Sequence, residues 1–228
     1  MKAGIQEKVN TNELFQGIGA DSLTRMLECS KSRISHYRSG EVIFHEEEVA
    51  TKLFVLLEGA VHIVKNFASG RKKILLTLEE GEIFGENFFF GKETKYWYDA
   101  ESYKEAYILE IPWRFFYCFC DSACAHHQQL VQNMLGILSM KQFAITKRLQ
   151  IVSTSSLRER IAIWLIDEAD GHGKVTMKMK RDALADMLGV ARPSLSRELM
   201  KMQDDGLIRV EKKEICIINK EEMENLYN

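Results

Sequence analysis

The chain has 228 residues, of which 46% are hydrophobic and 28% charged, with a formal net charge of −2 and only two prolines. That balance suits one large or two small globular domains with real cores, and it excludes a disordered or low-complexity chain. No apolar run reaches the ~18 residues of a membrane-spanning helix, and the opening MKAGIQEKVNTNELF lacks the apolar centre of a signal peptide, so a cytoplasmic protein without membrane contact is expected.

Residues 12–30 predict a short amphipathic helical lead-in, with Asp21 capping its second piece and Leu23, Met26 and Leu27 on one face. From Ile34 to Pro112 the pattern changes to short apolar runs (EVIFHE, KLFVLLEG, AVHIVKNF, KKILLTL, EIFGENFFF, EAYILEI) punctuated by Gly40, Gly59, Gly70, Gly81, Gly85 and Gly91. Many short strands between glycine turns predict an antiparallel sandwich or barrel. Ala68-Ser69-Gly70-Arg71 reads as one of its hairpin loops. Residues 113–124 read as helical and aromatic-rich.

A long helix is predicted over residues 125–153, with no proline and a single glycine. Val131, Leu135, Leu138, Gln142, Ile145, Leu149 and Val152 follow a 4-3-4-3-4-3 spacing, a heptad seam with one polar interruption. Leu130, Met134, Ile137, Ala144 and Ile151 widen the stripe. Two adjoining apolar faces predict packing on the helix's own sandwich and on a partner helix, hence a homodimer. The alternative is one wide face buried within a single chain. Ser153-Thr154-Ser155-Ser156 then breaks the pattern. It marks a domain boundary and candidate hinge, where Ser155 or Ser156 can cap the next helix, Leu157 to Ala169. The expected domains are therefore 1–124, a sensing sandwich; 125–153, a dimerisation helix; and 154–228.

The last block carries the clearest motif. After a short strand over 174–179, a helix from Arg181 to Leu188 buries Leu184, Met187 and Leu188, with Ala185 small where two helices must approach. Gly189 allows a tight turn, and a second helix opens at Arg192-Pro193, where proline is tolerated. Leu195, Leu199 and Met202 point inward, leaving Arg192, Ser194, Ser196, Arg197 and Lys201 outside. Asp205-Gly206 stops the helix, and Leu207–Val210 with Glu214–Ile218 form a two-stranded wing around Lys212 and Lys213; Asn219 and Glu222 can cap a terminal helix. From Gly171 to Lys201 there are seven Lys or Arg against three Asp or Glu, so a near-neutral chain still offers a basic face to double-stranded DNA. Arg197, one turn into the helix, sits at the depth where a guanidinium pairs guanine O6 and N7. Ser196 reaches a base or a phosphate. Arg192 and Ser194 at the helix start, and Lys212 and Lys213 on the wing, are read as phosphate anchors.

Taken with SGEVIFHEEE, LFVLLEGAVHIVK, LLTLEEGEIFGE and LADMLGVARPSLSRELMKMQDDGLIRV, the chain resembles the family of the cyclic AMP receptor protein and the fumarate and nitrate reduction regulator, from about Leu14 to its end. The resemblance implies an α+β protein: an antiparallel jelly-roll sandwich like a cyclic-nucleotide-binding domain, a long dimerisation helix and a C-terminal winged helix-turn-helix. It implies a homodimer on palindromic promoter DNA, contact with RNA polymerase, and half-sites about 34–36 Å apart. Arg197 falls on the family's guanine-reading arginine, Arg192 on a phosphate- or base-contacting position, and Pro193 where several members carry a base-reading glutamate. Gly85 and Glu86 match the start of the family's phosphate cassette and Thr146, on the long helix, falls where the family touches its effector; Asn87, Phe88, Tyr96 and Trp97 complete the candidate effector residues.

The sensor departs from the family pattern. The arginine and serine expected ten and eleven residues after Glu86 are Tyr96 and Trp97, so a cyclic phosphate loses its counter-charge and cyclic AMP is not the expected effector. Phe88, Phe89, Phe90, Tyr96, Trp97 and Tyr98 suit a hydrophobic or aromatic small molecule of unknown identity, or else are sandwich core. The five cysteines, Cys29, Cys118, Cys120, Cys124 and Cys216, are odd in number and form no CxxC pair. They read as buried or partly buried thiols, with a redox-responsive regulator as the alternative. Cys29 stands alone, against an iron–sulfur sensor. A sandwich metalloenzyme is a further alternative, but His36, His45 and His62 are scattered with no His-x-His pair. Neither catalytic nor metal-ligating residues are assigned. A ligand-binding subunit acting only through protein contacts is opposed by the hairpin and wing.

Overall fold

The structure, a computed structural model, describes residues 3–88, 94–116, 125–154, 156–177 and 179–227. Phe89, Phe90, Gly91 and the trio Cys118, Cys120 and Cys124 lie outside the described residues. The chain divides into two compact units, Met1–Leu138 and Ser139–Asn228.

The first unit opens with α1 (Ala3–Thr11), a 3-10 turn (Glu13–Phe15) and α2 (Ala20–Cys29). Asn12 caps the turn: its Oδ1 accepts the Leu14 N–H at 3.0 Å while its Nδ2 donates to the Gly81 carbonyl at 2.9 Å. Asp21 does not cap α2. Gly19 holds that position, and Asp21 sits inside the first turn, where its charge complements the helix N-terminus. Leu23 and Met26 are buried and Leu27 packs beside them.

The strands are β1 (Arg33–Tyr37), β2 (Val42–Phe44), β3 (Lys52–Asn66), β4 (Lys72–Leu78), β5 (Ile83–Phe84) and β6 (Asp99–Pro112). They pair antiparallel in the order β1-β6-β3-β4, with β2 also on β6 and β5 on β3. β3 and β6 are buried on both faces by simple alternation. Leu53, Val55, Leu57, Leu109 and Ile111 face the helices, while Phe54, Leu56, Ala106 and Ile108 line the inside of the roll. The turn at Gly70 closes as expected, with the Gly70 N–H on the Phe67 carbonyl at 2.8 Å. Gly59, expected in a turn, instead lies within one continuous strand, β3, at a bulge against β6. Its φ is +103° and a Cβ there would stand 2.3 Å from the Glu105 carbonyl oxygen, so the two long strands meet only because this residue has no side chain.

Two carboxylates of β6 are buried, Asp99 at its start and Glu110 near its end. Glu110, with its side chain 1% exposed, takes hydrogen bonds from Lys52 Nζ at 2.7 Å, Arg33 Nε at 3.0 Å and the Tyr37 hydroxyl at 3.0 Å. Burial pushes its pKa up, but these partners and Ser35 outweigh burial and hold it below the ordinary carboxylate value.

α3 (Ala125–Ser153) follows a 3-10 turn at Trp113–Phe116. Leu130, Met134 and Ile137 are buried in the first unit's core, and Asn133 Nδ2 donates to the carbonyls of Leu14 (3.0 Å) and Gln16 (2.8 Å). The adjoining seam is open. Leu135, Ile145 and Leu149 are 61–63% exposed, Gln142 is exposed, and Val131, Leu138 and Val152 are half-buried.

The second unit continues with α4 (Leu157–Glu168), β7 (Lys174–Thr176), α5 (Arg181–Met187), α6 (Arg192–Asp204), β8 (Ile208–Val210), β9 (Glu214–Ile217) and α7 (Lys220–Glu224). Ser156 caps α4, accepting the Glu159 N–H, and Asn219 caps α7, accepting the Glu222 N–H, both at 3.1 Å. The wing is a three-stranded sheet in the order β7-β9-β8, one strand more than expected because Lys174–Thr176 pairs with β9. Ile161, Trp164, Leu165, Leu184, Leu195, Leu199, Met202 and Ile215 form its core.

Candidate nucleic-acid interface

α5 and α6 form a helical hairpin whose geometry follows from a few small residues. Ala185, 1% exposed, lets the helices close on each other, and the turn after α5 is fastened by the Val190 N–H on the Ala185 carbonyl at 3.0 Å. Pro193 sits in the first turn of α6, where its missing N–H has no intrahelical partner to lose. Leu195, Leu199 and Met202, spaced four and three residues apart, bury one stripe of α6. At about 100° per residue, that stripe turns Pro193, Arg197 and Lys201 to the opposite side, with Ser196 at its flank.

Two arginines of α4 fix this helix from behind. Arg158 donates to Glu198 in mid-α6 at 2.7 Å and to Asp205 at its end at 2.6 Å. Arg160 donates to the Leu188 carbonyl at 3.1 Å and the Thr154 carbonyl at 3.0 Å, joining the hairpin turn to the end of α3. Neither role was legible in the sequence, because both arginines lie 28 to 47 residues from the hairpin groups they hold.

The expected DNA-facing residues lie on the open side. Arg192, Ser196, Arg197, Lys201, Lys212 and Lys213 are exposed and Ser194 is half-buried. Arg197 folds back along its own helix, with Nε 3.3 Å from the Pro193 carbonyl and Nη2 3.5 Å from Ser194 Oγ. Arg192 was expected to stand ready for phosphate, but it is paired with Asp182 of α5. Lys201, Lys212 and Lys213 make no ion pair among the described residues. Met200, 52% exposed, shares the outward face of α6 and was missed because an apolar residue in a helix reads as core.

The candidate effector residues sit in the first unit, Thr146 excepted. Gly85 precedes a 3-10 turn at Glu86–Phe88 and lies against Phe54, where a Cβ would be 3.0 Å from the ring. Glu86, Phe88 and Tyr96 are buried and Asn87 is exposed. The rings fill the roll with one another. Tyr96 stacks on Phe44 at 3.7 Å and meets Phe88 edge-on at 5.3 Å, and Phe88 meets Tyr98 at 5.4 Å. Burial pushes the Tyr96 and Tyr98 hydroxyls up. Trp97 touches this cluster only at its rim, edge-on to Tyr98 at 6.4 Å; it is 61% exposed, with Lys65 Nζ 4.7 Å over its ring. Thr146 is exposed on α3, its Oγ1 donating to the Gln142 carbonyl at 3.0 Å. Among the described residues Cys29 and Cys216 are free thiols, and no cluster of His, Cys, Asp or Glu has the makings of a metal site. No described helix is long and apolar enough to cross a membrane.

Comparison with known proteins places these features together. A model of the cyclic nucleotide-binding domain matches residues 34–123, and one of the Crp-like helix-turn-helix domain matches residues 159–226. The chain is 22% identical over 215 residues to the global nitrogen regulator of Synechococcus elongatus, covering 90% of this chain and 91% of the relative. It is 26% identical over 203 residues to the cAMP-activated global transcriptional regulator CRP of Salmonella typhimurium, covering 82% and 90%. The solved structure of OCPA-complexed CprK shares the fold with a TM-score of 0.65 at 15% identity, over 90% of this chain and 92% of that one. With both family models matched in the order in which the two units fold, the chain belongs to the Crp family of transcription regulators, which act by binding DNA and not as enzymes.

Proposed function

We propose that this regulator binds palindromic promoter DNA as a homodimer in the cytoplasm, with RNA polymerase as its protein partner and one α6 helix in the major groove of each half-site. The observation that carries this reading is the orientation of α6. Its buried Leu195, Leu199 and Met202 leave Arg197, Ser196 and Lys201 pointing outward, and the exposed Lys212 and Lys213 stand on the adjacent wing. Arg197 reads a guanine; Ser194 and the wing lysines hold phosphates. Dimerisation is supported by the heptad residues Leu135, Ile145 and Leu149, which a single chain leaves mostly exposed. On this reading the sensing domain spans 1–124, the dimerisation helix 125–153 and the DNA-binding domain 154–228, with Ser153–Ser156 as the hinge.

The effector is an apolar or aromatic small molecule bound by the first unit around residues 85–97, and not cyclic AMP. The supporting observation is that a buried, ring-stacked Tyr96 stands where the phosphate-binding arginine is expected. The test of the DNA reading is duplex binding across a salt series. Affinity is expected to fall with a log–log slope of roughly −0.9 per phosphate contacted. A flat response would falsify it.

A further inference from the structure

The DNA-facing side of the second unit pairs one of its cations with a carboxylate. Asp182, in the first turn of α5, lies 3.2 Å by both Oδ1 and Oδ2 from Nη1 of Arg192, the first residue of α6. Both side chains are about 60% exposed, so the pair does little for folding. An acidic group beside a phosphate-binding surface also repels the ligand that surface serves. Its geometry suggests another use. Nη1 is occupied, whereas Nε and Nη2 have no partner among the described residues. That remaining edge presents two parallel donors, the pattern that pairs with guanine O6 and N7, on a guanidinium whose charge Asp182 already offsets.

We propose that Asp182 is a specificity-determining positioning residue: by holding Nη1 it withdraws Arg192 from phosphates and presents the Nε–Nη2 edge to a base. This rests on the DNA-binding reading above. In non-specific complexes Asp182 keeps Arg192 largely neutralised, which lowers affinity for random DNA. On the operator the same contact orients the guanidinium. The ratio of specific to random binding is thereby raised from both sides.

The test uses the full chain, on random-sequence duplex and on an operator selected by the wild-type protein from randomised duplexes, across a salt series. Asp182→Asn is expected to bind random duplex roughly three- to tenfold more tightly at low salt, with a slope steeper by about 0.9 per protomer as Arg192 gains a phosphate. Operator affinity changes less, so discrimination falls, and Asp182→Glu restores it. In an Arg192→Gln background Asp182→Asn is expected to gain much less, only the relief of its own repulsion, with no added phosphate contact in the slope. An unchanged slope in Asp182→Asn overturns the proposal. So does an equal gain in the Arg192→Gln background, which reveals bare repulsion of phosphate. If the wild-type protein itself fails to bind duplex at low salt, the DNA reading falls, a result distinct from either of these.

Discussion

At the scale of single residues, function and stability separate cleanly. Arg197 rests on its own helix, on Pro193 and Ser194, contacts weak enough to exchange for a base edge. Arg197→Ala is expected to cost about 1–3 kcal/mol per half-site and to relax preference at one guanine. Titrating operators altered at each position checks this, and equal losses on operator and random DNA would contradict the role. Glu110 is the opposite case, a buried carboxylate whose polar partners are all within its own sheet. Because its partners hold its folded pKa below the ordinary value, its contribution is complete above the unfolded pKa of about 4.3 and is lost as pH falls through the folded value. Glu110→Gln is expected to lower stability at neutral pH by about 1–3 kcal/mol, by leaving Tyr37 and the two cations poorly matched. Urea unfolding at pH 7 and in acid should show the gap between variant and wild type closing; a gap that persists in acid points to packing alone.

At the scale of elements, α3 and the wing carry the sharpest expectations. The seam positions Ile145 and Leu149 are mostly exposed in one chain, so a charge there leaves the protomer intact. Leu149→Glu is expected to convert a dimer to a monomer by sedimentation, with far-ultraviolet circular dichroism unchanged; a variant that still sediments as a dimer moves the interface elsewhere. Lys213→Ala is expected to weaken operator and random DNA alike and to flatten the salt slope by about 0.9 per protomer. A loss confined to the operator would make Lys213 a reader, not an anchor. These elements were legible because their signals are local. The heptad spacing, the Pro193 start, the Gly206 stop and the capping by Ser156 and Asn219 each span a few residues. Asp21 and Gly59 were misplaced because an acid near a helix start and a glycine between apolar runs each fit two local structures. Only the tertiary neighbours, Gly19 as the cap and Glu105 across the sheet, choose between them.

At the scale of the molecule, ligand response is the quantity to measure. Cyclic AMP is expected to leave the melting temperature of the protein unchanged, whereas any ligand that binds the folded state raises it by mass action. A saturable rise with cyclic AMP would return the sensor to the family's usual effector. The sequence by itself determined the order of elements, the α+β class, the family and the face of α6 that looks outward, because periodicity, turns and caps act over one or two turns of chain. The tertiary structure decided what each side chain meets. It packed Phe88 and Tyr96 into the roll but left Trp97 outside, opened the α3 seam, buried Glu110 among cations, and gave Arg192 to Asp182. Those outcomes depend on close packing and charge pairing between residues distant in sequence, for which a single chain carries no periodic signal.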